Sequence, residues 1–474
     1  MNDVKKRCAS LPEWGLLLLG AVLFLFSNGR WAVAPIAWFA PVPFLVMLRG
    51  RKSAWGAVAL LPFFILASWI MLRGIIPPWL GLLALGLSAC FGLMWWFPFC
   101  VDALMCRRIP EPFRFFIFPA ALTAGEFLCT LVFGDWGSQA FSQAENLHLL
   151  QVVSLTGIWG ITFLMGCFAS LATFVLREGW TKRSIRRAGA GFIVAWMAVM
   201  IYGGCRLSFG GGGPTVRIGS FAAHEGEKGI AGLPELIAGS RQLAAFGARV
   251  VFWPEGLLNV SSRESAVIER EAGRLSRELG IYFMPSFHRE PGTGSVGSQR
   301  TVLFGPDGRR LWDYVKSHPV PGSPDMKGPG QVPLVQTPFA RLGAAICYDF
   351  DFPHFIRQAG KGRVDLMLDP SWDWREIDPL HTRMAVVRAV ENGFSLVRHT
   401  MAGLSIAVDP LGRTRASLDH YETAERRFIA DVPVQRTPTF YSWAGDWLPW
   451  VCMIYLLCGF FFLAKRGFSD LPNQ

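Results

Sequence analysis

Residues 341–349 read RLGAAICYD: four small or β-branched positions lead to Cys347, and the run turns acidic at Asp349. A stretch this short and apolar predicts a buried strand whose end presents a thiol. Seven comparable runs surround it: TVRIGSF (215–221), ARVVFWPEG (248–256), GIYFMPSFHRE (280–290), RTVLFGPDGRRLWDYVK (300–316), VDLMLDPSW (364–372), FSLVRHT (394–400) and LSIAVDPLGR (404–413). FGPDGR and VDPLGR carry the Asp or Pro and the Gly of hairpin turns. Between the runs, residues 261–280 open on a Ser cap, and LHTRMAVVRAVENG (380–393) closes on Gly393, so both read as helices. Strands alternating with helices predict an α/β domain.

Outward from this region the composition changes. The chain has 474 residues, is 51% hydrophobic and has a mean hydropathy of +0.32, too apolar for an ordinary soluble protein of its length. Eight nearly uncharged runs, about 11–27, 31–48, 54–72, 78–104, 115–133, 150–176, 188–207 and 447–464, are long enough to be read as membrane helices. The predicted architecture is therefore a polytopic membrane domain of eight helices with the α/β domain inserted between helices 7 and 8. Its parts are 1–207, 208–446, and a last helix with its tail at 447–474. The first run follows Lys5, Lys6 and Arg7 but has no small-residue cleavage site, so it reads as a retained helix and not a removed signal. FGGGGP (209–214) reads as a flexible link, and it lacks the Lys-Ser/Thr of a phosphate loop.

The basic residues sort by loop. Lys5/Lys6/Arg7, Arg49/Arg51/Lys52, Arg107/Arg108/Arg114, Arg177/Lys182/Arg183/Arg186/Arg187 and Lys465/Arg466 all fall on one side of an eight-helix weave, whereas the opposite loops hold only Arg30 and Arg73. Cationic loops stay in the cytoplasm, so both termini are expected there and 208–446 outside. Of 46 Lys+Arg and 35 Asp+Glu, residues 208–446 hold 27 and 26, leaving 19 and 9 for the membrane part. The net charge of +11 thus reports topology, and a nucleic-acid partner is not expected.

Of ten cysteines, Cys8 lies in the N-terminal tail and Cys90, Cys100, Cys106, Cys129, Cys167, Cys205, Cys452 and Cys458 lie in or beside apolar helices. Only Cys347 stands in the polar domain, where one thiol can form neither an intradomain disulfide nor a paired zinc site. The histidines, His224, His288, His318, His354, His381, His399 and His420 among them, show no metal spacing, and neither metal nor cofactor is expected. Three strand ends present reactive side chains: Glu255 after VVFWP, Lys316 after LWDYV and Cys347 after AAI. Layered α/β domains collect their sites at such ends.

FWPEG, DYVKSHPVP and AAICYD, in this order and at these separations, resemble the Glu–Lys–Cys signature of the nitrilase (carbon-nitrogen hydrolase) superfamily. With seven helices before the domain and one after, the whole chain is similar to the apolipoprotein N-acyltransferase family. GDWGSQAFSQAENLHLLQVVSLTGIWGITFLM (134–165), PSWDW and the helix after it track that family as well. The resemblance implies an αββα sandwich domain in a bacterial inner-membrane enzyme. It also implies transfer of a fatty acyl chain from a phospholipid, through a Cys347 thioester, to the α-amine of a diacylglyceryl-cysteine at an apolipoprotein N-terminus. In such a ping-pong scheme Glu255 is the general base, and Lys316 with the Tyr348 amide stabilises the oxyanion, at about 3–4 kcal/mol per well-placed donor.

Around this triad, Asp349 takes the place of a family acid, and Trp372 matches a tryptophan on a loop over the site. Trp136, Gln139 and Gln143 frame a lipid entrance in the same reading, with interfacial anchoring as the alternative for them and for Trp372. For Glu126, inside an apolar helix, a packing hydrogen bond is the preferred reading. Two departures bear on specificity: PVPGSPDMKGPG (319–330) replaces a loop that carries a glutamate in the family, leaving Asp325 as a substitute, and Asp369-Pro370 replaces the family's Asn-Asp. A membrane-tethered amidase and a non-catalytic membrane binding protein are the alternative functions.

Overall fold

The computed structural model describes residues 12–50, 55–76, 80–223, 229–292 and 296–469. Lys5, Lys6, Arg7, Cys8, Arg51, Lys52 and His224 lie outside them. Two compact units divide the chain: Met1–Cys205 with Asp446–Gln474, and Arg206–Gly445.

The first unit is helical. Among the described residues five helices are long and apolar enough to cross a membrane: Leu82–Met105, Phe113–Phe133, Trp159–Glu178, Arg183–Phe209, whose last turn passes into the second unit, and Trp447–Lys465. The stretches Glu13–Leu25, Ala34–Gly50 and Gly56–Met71 are apolar but shorter. Breakers account for part of the shortening. Pro41 separates Ala34–Phe39 from Val42–Gly50, and Gly157, at φ +67°, separates Val153–Thr156 from Trp159–Glu178. Charges inside the unit are compensated. Arg49 donates to both oxygens of Asp102 at 2.9 and 2.8 Å and to the Ser170 hydroxyl at 3.1 Å. The Glu126 carboxylate accepts from Ser138 and Thr162, each at 2.7 Å, and from the Gln139 amide at 3.4 Å, so it packs through hydrogen bonds.

The second unit has two sheets. Its strands are β1 (Thr215–Phe221), β2 (Val250–Phe252), β3 (Asn259–Val260), β4 (Tyr282–Met284), β5 (Ser286–Arg289), β6 (Ser298–Phe304), β7 (Arg310–Val315), β8 (Leu334–Gln336), β9 (Arg341–Ala344), β10 (Leu366–Trp372), β11 (Ser395–Met401), β12 (Leu404–Val408), β13 (Thr414–Asp419) and β14 (Arg427–Pro433). One sheet runs β14-β1-β2-β4-β6-β5-β3 with β7 on β6, and the other runs β13-β12-β11-β10-β9-β8. Within them β1, β2 and β4 are parallel, as are β9, β10 and β11.

Helices α1 (Leu233–Ala245) and α2 (Ser262–Leu279) cover the first sheet through contacts to β1 and β4. On the second sheet, α4 (Leu380–Asn392) lies on β11 and β12, and α3 (Pro353–Lys361) packs on α4. Strands β11 and β12 meet β14 of the other sheet, giving helix, sheet, sheet and helix layers. Burial on both faces explains why β10 and β11 read as unbroken apolar-to-polar runs and not as alternating ones. Local signals fix the helix ends. Ser261 and Glu264 form a capping box, worth about 1 kcal/mol, and Gly280 and Gly393 take left-handed conformations after α2 and α4. The glycine run is pinned, because Arg413 donates to the carbonyls of Leu207 and Gly210.

Candidate active site

Strand β2 of the first sheet and the parallel strands β9 and β10 of the second carry Glu255, Cys347 and Trp372 just beyond or at their carboxyl ends, and β7 ends immediately before Lys316. Lys316 Nζ donates to Glu255 Oε1 at 2.7 Å, and both side chains are buried. Burial opposes the lysine charge, but the Glu255 carboxylate and the neighbouring Cys347 outweigh it and raise the Lys316 pKa. The cation therefore persists at neutral pH.

Cys347 is buried and opens a 3₁₀ turn, Cys347–Asp351, at φ +49°, a conformation that costs a non-glycine residue about 1–2 kcal/mol. Its amide donates to Asp369 Oδ1 at 3.0 Å, and its Sγ lies 3.6 Å from the Trp372 carbonyl. Burial, and then the Glu255 charge, push the thiol well above its ordinary range. At neutral pH the sulfur is a thiol, so nucleophilic use requires a base to remove its proton.

Asp349 joins two of the three strand ends. Its Oδ2 accepts from the Tyr314 hydroxyl at 2.6 Å and the Ile346 amide at 3.0 Å, while Oδ1 accepts from the His318 amide at 2.8 Å. Tyr314 and His318 bracket Lys316, so the shorter acid at this position still ties the lysine's strand to the cysteine's turn. Tyr348 sets its ring edge-on to Phe352 at 5.2 Å.

Trp372 is 44% exposed and lies over the turn after Glu255: a Cβ at Gly256, which has φ +75°, would come within 2.1 Å of Trp372 Cε3. Asp325 instead pairs with His288 of β5 at 2.9 Å. Trp136, Gln139 and Gln143 belong to the helical unit and are buried there. The Trp136 carbonyl accepts from Asn28, Gln139 Nε2 donates to Ser27 Oγ at 3.0 Å, and Gln143 Nε2 donates to the Ala34 carbonyl at 2.7 Å.

Beneath Cys347 lies a charged network that motif reading did not single out. Arg398, fully buried, donates to Asp369 at 2.5 Å and to both oxygens of Asp373 at 2.8 and 2.9 Å. His381 bridges Asp373 at 2.6 Å and Asp351 at 3.0 Å. Burial pushes the Asp369 carboxyl up to about 6 despite Arg398. For Asp373 burial is outweighed by Arg398 and His381, which hold its carboxyl below the usual range. Sγ of Cys347 and the ligand atoms of Asp373 and His381 lie within 4.8 Å of one another. Those of His381 and Asp373 are already engaged with each other and with Asp351 and Arg398, so the guanidinium occupies the place of a cation. The only sequence signal for this network was charge (Asp369, Asp373, His381, Arg398) at positions whose neighbours read as core.

Two family models match successive parts of the chain: the apolipoprotein N-acyltransferase N-terminal domain over residues 20–171 and carbon-nitrogen hydrolase over 222–439. An apolipoprotein N-acyltransferase of Geobacter metallireducens is 24% identical over 93% of this chain and 93% of its own. Over most of its length the chain is similar to the apolipoprotein N-acyltransferase family. Another apolipoprotein N-acyltransferase, from Gloeobacter violaceus, is 27% identical over 88% of this chain and 87% of its own. Among solved structures, an amidase from Nesterenkonia sp. matches with 19% identity and a TM-score of 0.42 over 47% of this chain and 92% of its own. The two matches follow the order of the parts in this chain: the N-terminal domain match ends within the helical unit, and the hydrolase match covers β2, β7 and β9, from which the strand-end residues project.

Proposed function

We propose that this protein is a membrane acyltransferase of the apolipoprotein N-acyltransferase family that moves a fatty acyl chain from a phospholipid to the α-amine of the N-terminal diacylglyceryl-cysteine of apolipoproteins, by a ping-pong route through a thioester on Cys347. The observation that carries the assignment of roles is the buried Lys316–Glu255 pair at 2.7 Å, electrostatically coupled to a thiol that burial keeps protonated.

In the first half-reaction Glu255 takes the Sγ proton as sulfur attacks the ester carbonyl. Lys316 Nζ and the Tyr348 amide face the developing oxyanion. Collapse breaks the ester C–O bond, Glu255 returns the proton to the lysophospholipid alkoxide, and the acyl group remains on sulfur. In the second, the acceptor amine attacks the thioester, Glu255 accepts its proton, the C–S bond breaks, and the released thiolate is reprotonated. Atoms and charge balance without a redox partner. Trp372, packed over Gly256 with its indole partly exposed, is the side chain placed to shield the acylated sulfur from water.

The two shorter N-terminal stretches and the broken third bring the spanning helices to eight in this proposal. The distribution of Lys and Arg supports cytoplasmic termini, with residues 208–446 on the outer side of a bacterial cytoplasmic membrane. Trp136, Gln139 and Gln143 then shape the helical unit's outward loop and serve the lipid through that shape.

Mass spectrometry of the full chain after exposure to a phospholipid tests the scheme. The expected result is a fatty acyl adduct on Cys347 that disappears, with amide product formed, when a diacylated lipopeptide is added. Release of free fatty acid without amide would overturn the acceptor assignment, and absence of any adduct would overturn the nucleophile.

A further inference from the structure

Helix Arg183–Phe209 is the least enclosed of the long apolar helices: 11% of its most apolar window is buried, against 72% for Phe113–Phe133. It touches its neighbours closely near both ends, where a Cβ at Gly189 would lie 2.4 Å from Trp180 and one at Gly203 2.0 Å from the His148 carbonyl. Alongside it is a cavity of about 630 Å³ walled by Phe115, Phe116, Phe163, Leu164 and Phe192, with Ser184 and Arg187 at its rim. That volume is within the roughly 300–1,000 Å³ of ordinary ligand sites.

The rim is electropositive for a stated reason. Glu111, also at the rim, is held by Arg114, which binds Glu178 at 2.9 Å as well, and Lys182 is paired with Glu178 at 2.7 Å. Among the described residues the side chains of Arg187, Arg183 and Arg186 make no hydrogen bond or ion pair, leaving three neighbouring guanidinium groups without an acid there. An aromatic-walled slot in a membrane helix bundle with uncompensated cations at its mouth complements a lipid with an apolar chain and an anionic head.

We propose that this cavity binds one anionic glycerophospholipid, with an acyl chain along Phe116, Phe163 and Phe192 and its phosphate against Ser184 and Arg187. The site is separate from the thioester chemistry and requires only that the helices lie in a bilayer. Its occupant braces the exposed helix and is not the substrate.

Native mass spectrometry of the full chain in detergent, with dioleoyl phosphatidylglycerol or dioleoyl phosphatidylcholine added, tests it. One phosphatidylglycerol should survive activation that strips phosphatidylcholine. Arg187→Gln should lower the retained fraction about fivefold and Arg187→Glu about thirtyfold, while Arg187→Lys keeps it. Gly191 lines the cavity, and a Cβ there meets nothing within 4 Å, so Gly191→Leu should fill the space and displace the lipid without disturbing packing.

Equal retention of the two lipids, or retention indifferent to Gly191→Leu, overturns the proposal, since the first describes bulk lipid and the second a surface contact only. Displacement by inorganic phosphate alone also overturns it, because no chain would then be involved. Acylation of Cys347 in the same variants should proceed at the parent rate, so either reading can fail without the other.

Discussion

The carboxylate of Asp369 accepts the backbone amide of Cys347 at 3.0 Å, so the nucleophile is held through its main chain by an acid buried beneath it. A non-glycine residue at φ +49° persists only where its surroundings over-determine it, and this bond is one such constraint. Asp369→Ala leaves the Arg398 charge short of a partner and the Cys347 amide without its acceptor. The expected loss is about 3–5 kcal/mol, read as a large drop in Tm. Asp369→Asn keeps an acceptor oxygen and the shape. It should fold and should slow Cys347 acylation by about tenfold, measured by intact mass against time; an unchanged rate in Asp369→Asn would argue that the charge plays no part in placing the sulfur.

Glu255 and Lys316 share one hydrogen bond but should fail differently. Glu255→Gln preserves a polar partner for Lys316 and removes the base, so acylation should fall by about 10²–10⁴ with little change in Tm. Lys316→Met removes an oxyanion partner and leaves a buried carboxylate unpaired. Acylation should drop by about 10²–10³, with a loss of stability that Glu255→Gln does not show. Acylation surviving in both variants would remove the triad.

Gly256 is constrained twice, by φ +75° and by the Trp372 ring, whose Cε3 would lie 2.1 Å from an added Cβ. Gly256→Ala should destabilise the protein by about 1–2 kcal/mol and displace the indole, seen as a shift in tryptophan emission. Trp372→Ala should cost less stability, since the ring is 44% exposed, yet raise the share of thioester lost to water. In the double variant the steric part of the Gly256→Ala penalty should vanish and the backbone part remain.

What the sequence made legible followed from how local each cause is. The strand-end positions of Glu255, Lys316 and Cys347 could be read because each follows a short β run, and α2 announced itself through its Ser261 cap. β14 and β8 went unread because their definition is non-local: β14 pairs antiparallel with β1 across some two hundred residues, and β8 is three residues at a sheet edge. Helix α1, LPELIAGSRQLAA, opens without a side-chain cap, and α3 is only nine residues long. The Asp369–Arg398–Asp373–His381 network was hidden for the same reason, since charges on β10, α4 and β11 become partners only when those elements pack. Continuous apolar runs likewise concealed the break after Ala40 that Pro41 imposes.

The final prediction concerns pH. Burial, and after it the Arg398 guanidinium, oppose protonation of His381, but Asp351 on one ring nitrogen and Asp373 on the other overcome them and raise the histidine to about 9 from its ordinary 6.5. Because the folded chain holds this proton more tightly than the unfolded chain, the stabilisation is complete below about 6.5 and is lost as pH rises through 9. Its ceiling is about 3 kcal/mol. Tm of the full chain in detergent should therefore fall steadily between pH 6.5 and 9. His381→Gln removes the titrating group, so it should be less stable than the parent at pH 6 and show a flatter profile, the two curves approaching one another near pH 9. A variant whose profile runs parallel to the parent's over this range would mean that the imidazolium does not form in the fold, and the bridge from Asp351 to Asp373 would then be held by a neutral ring.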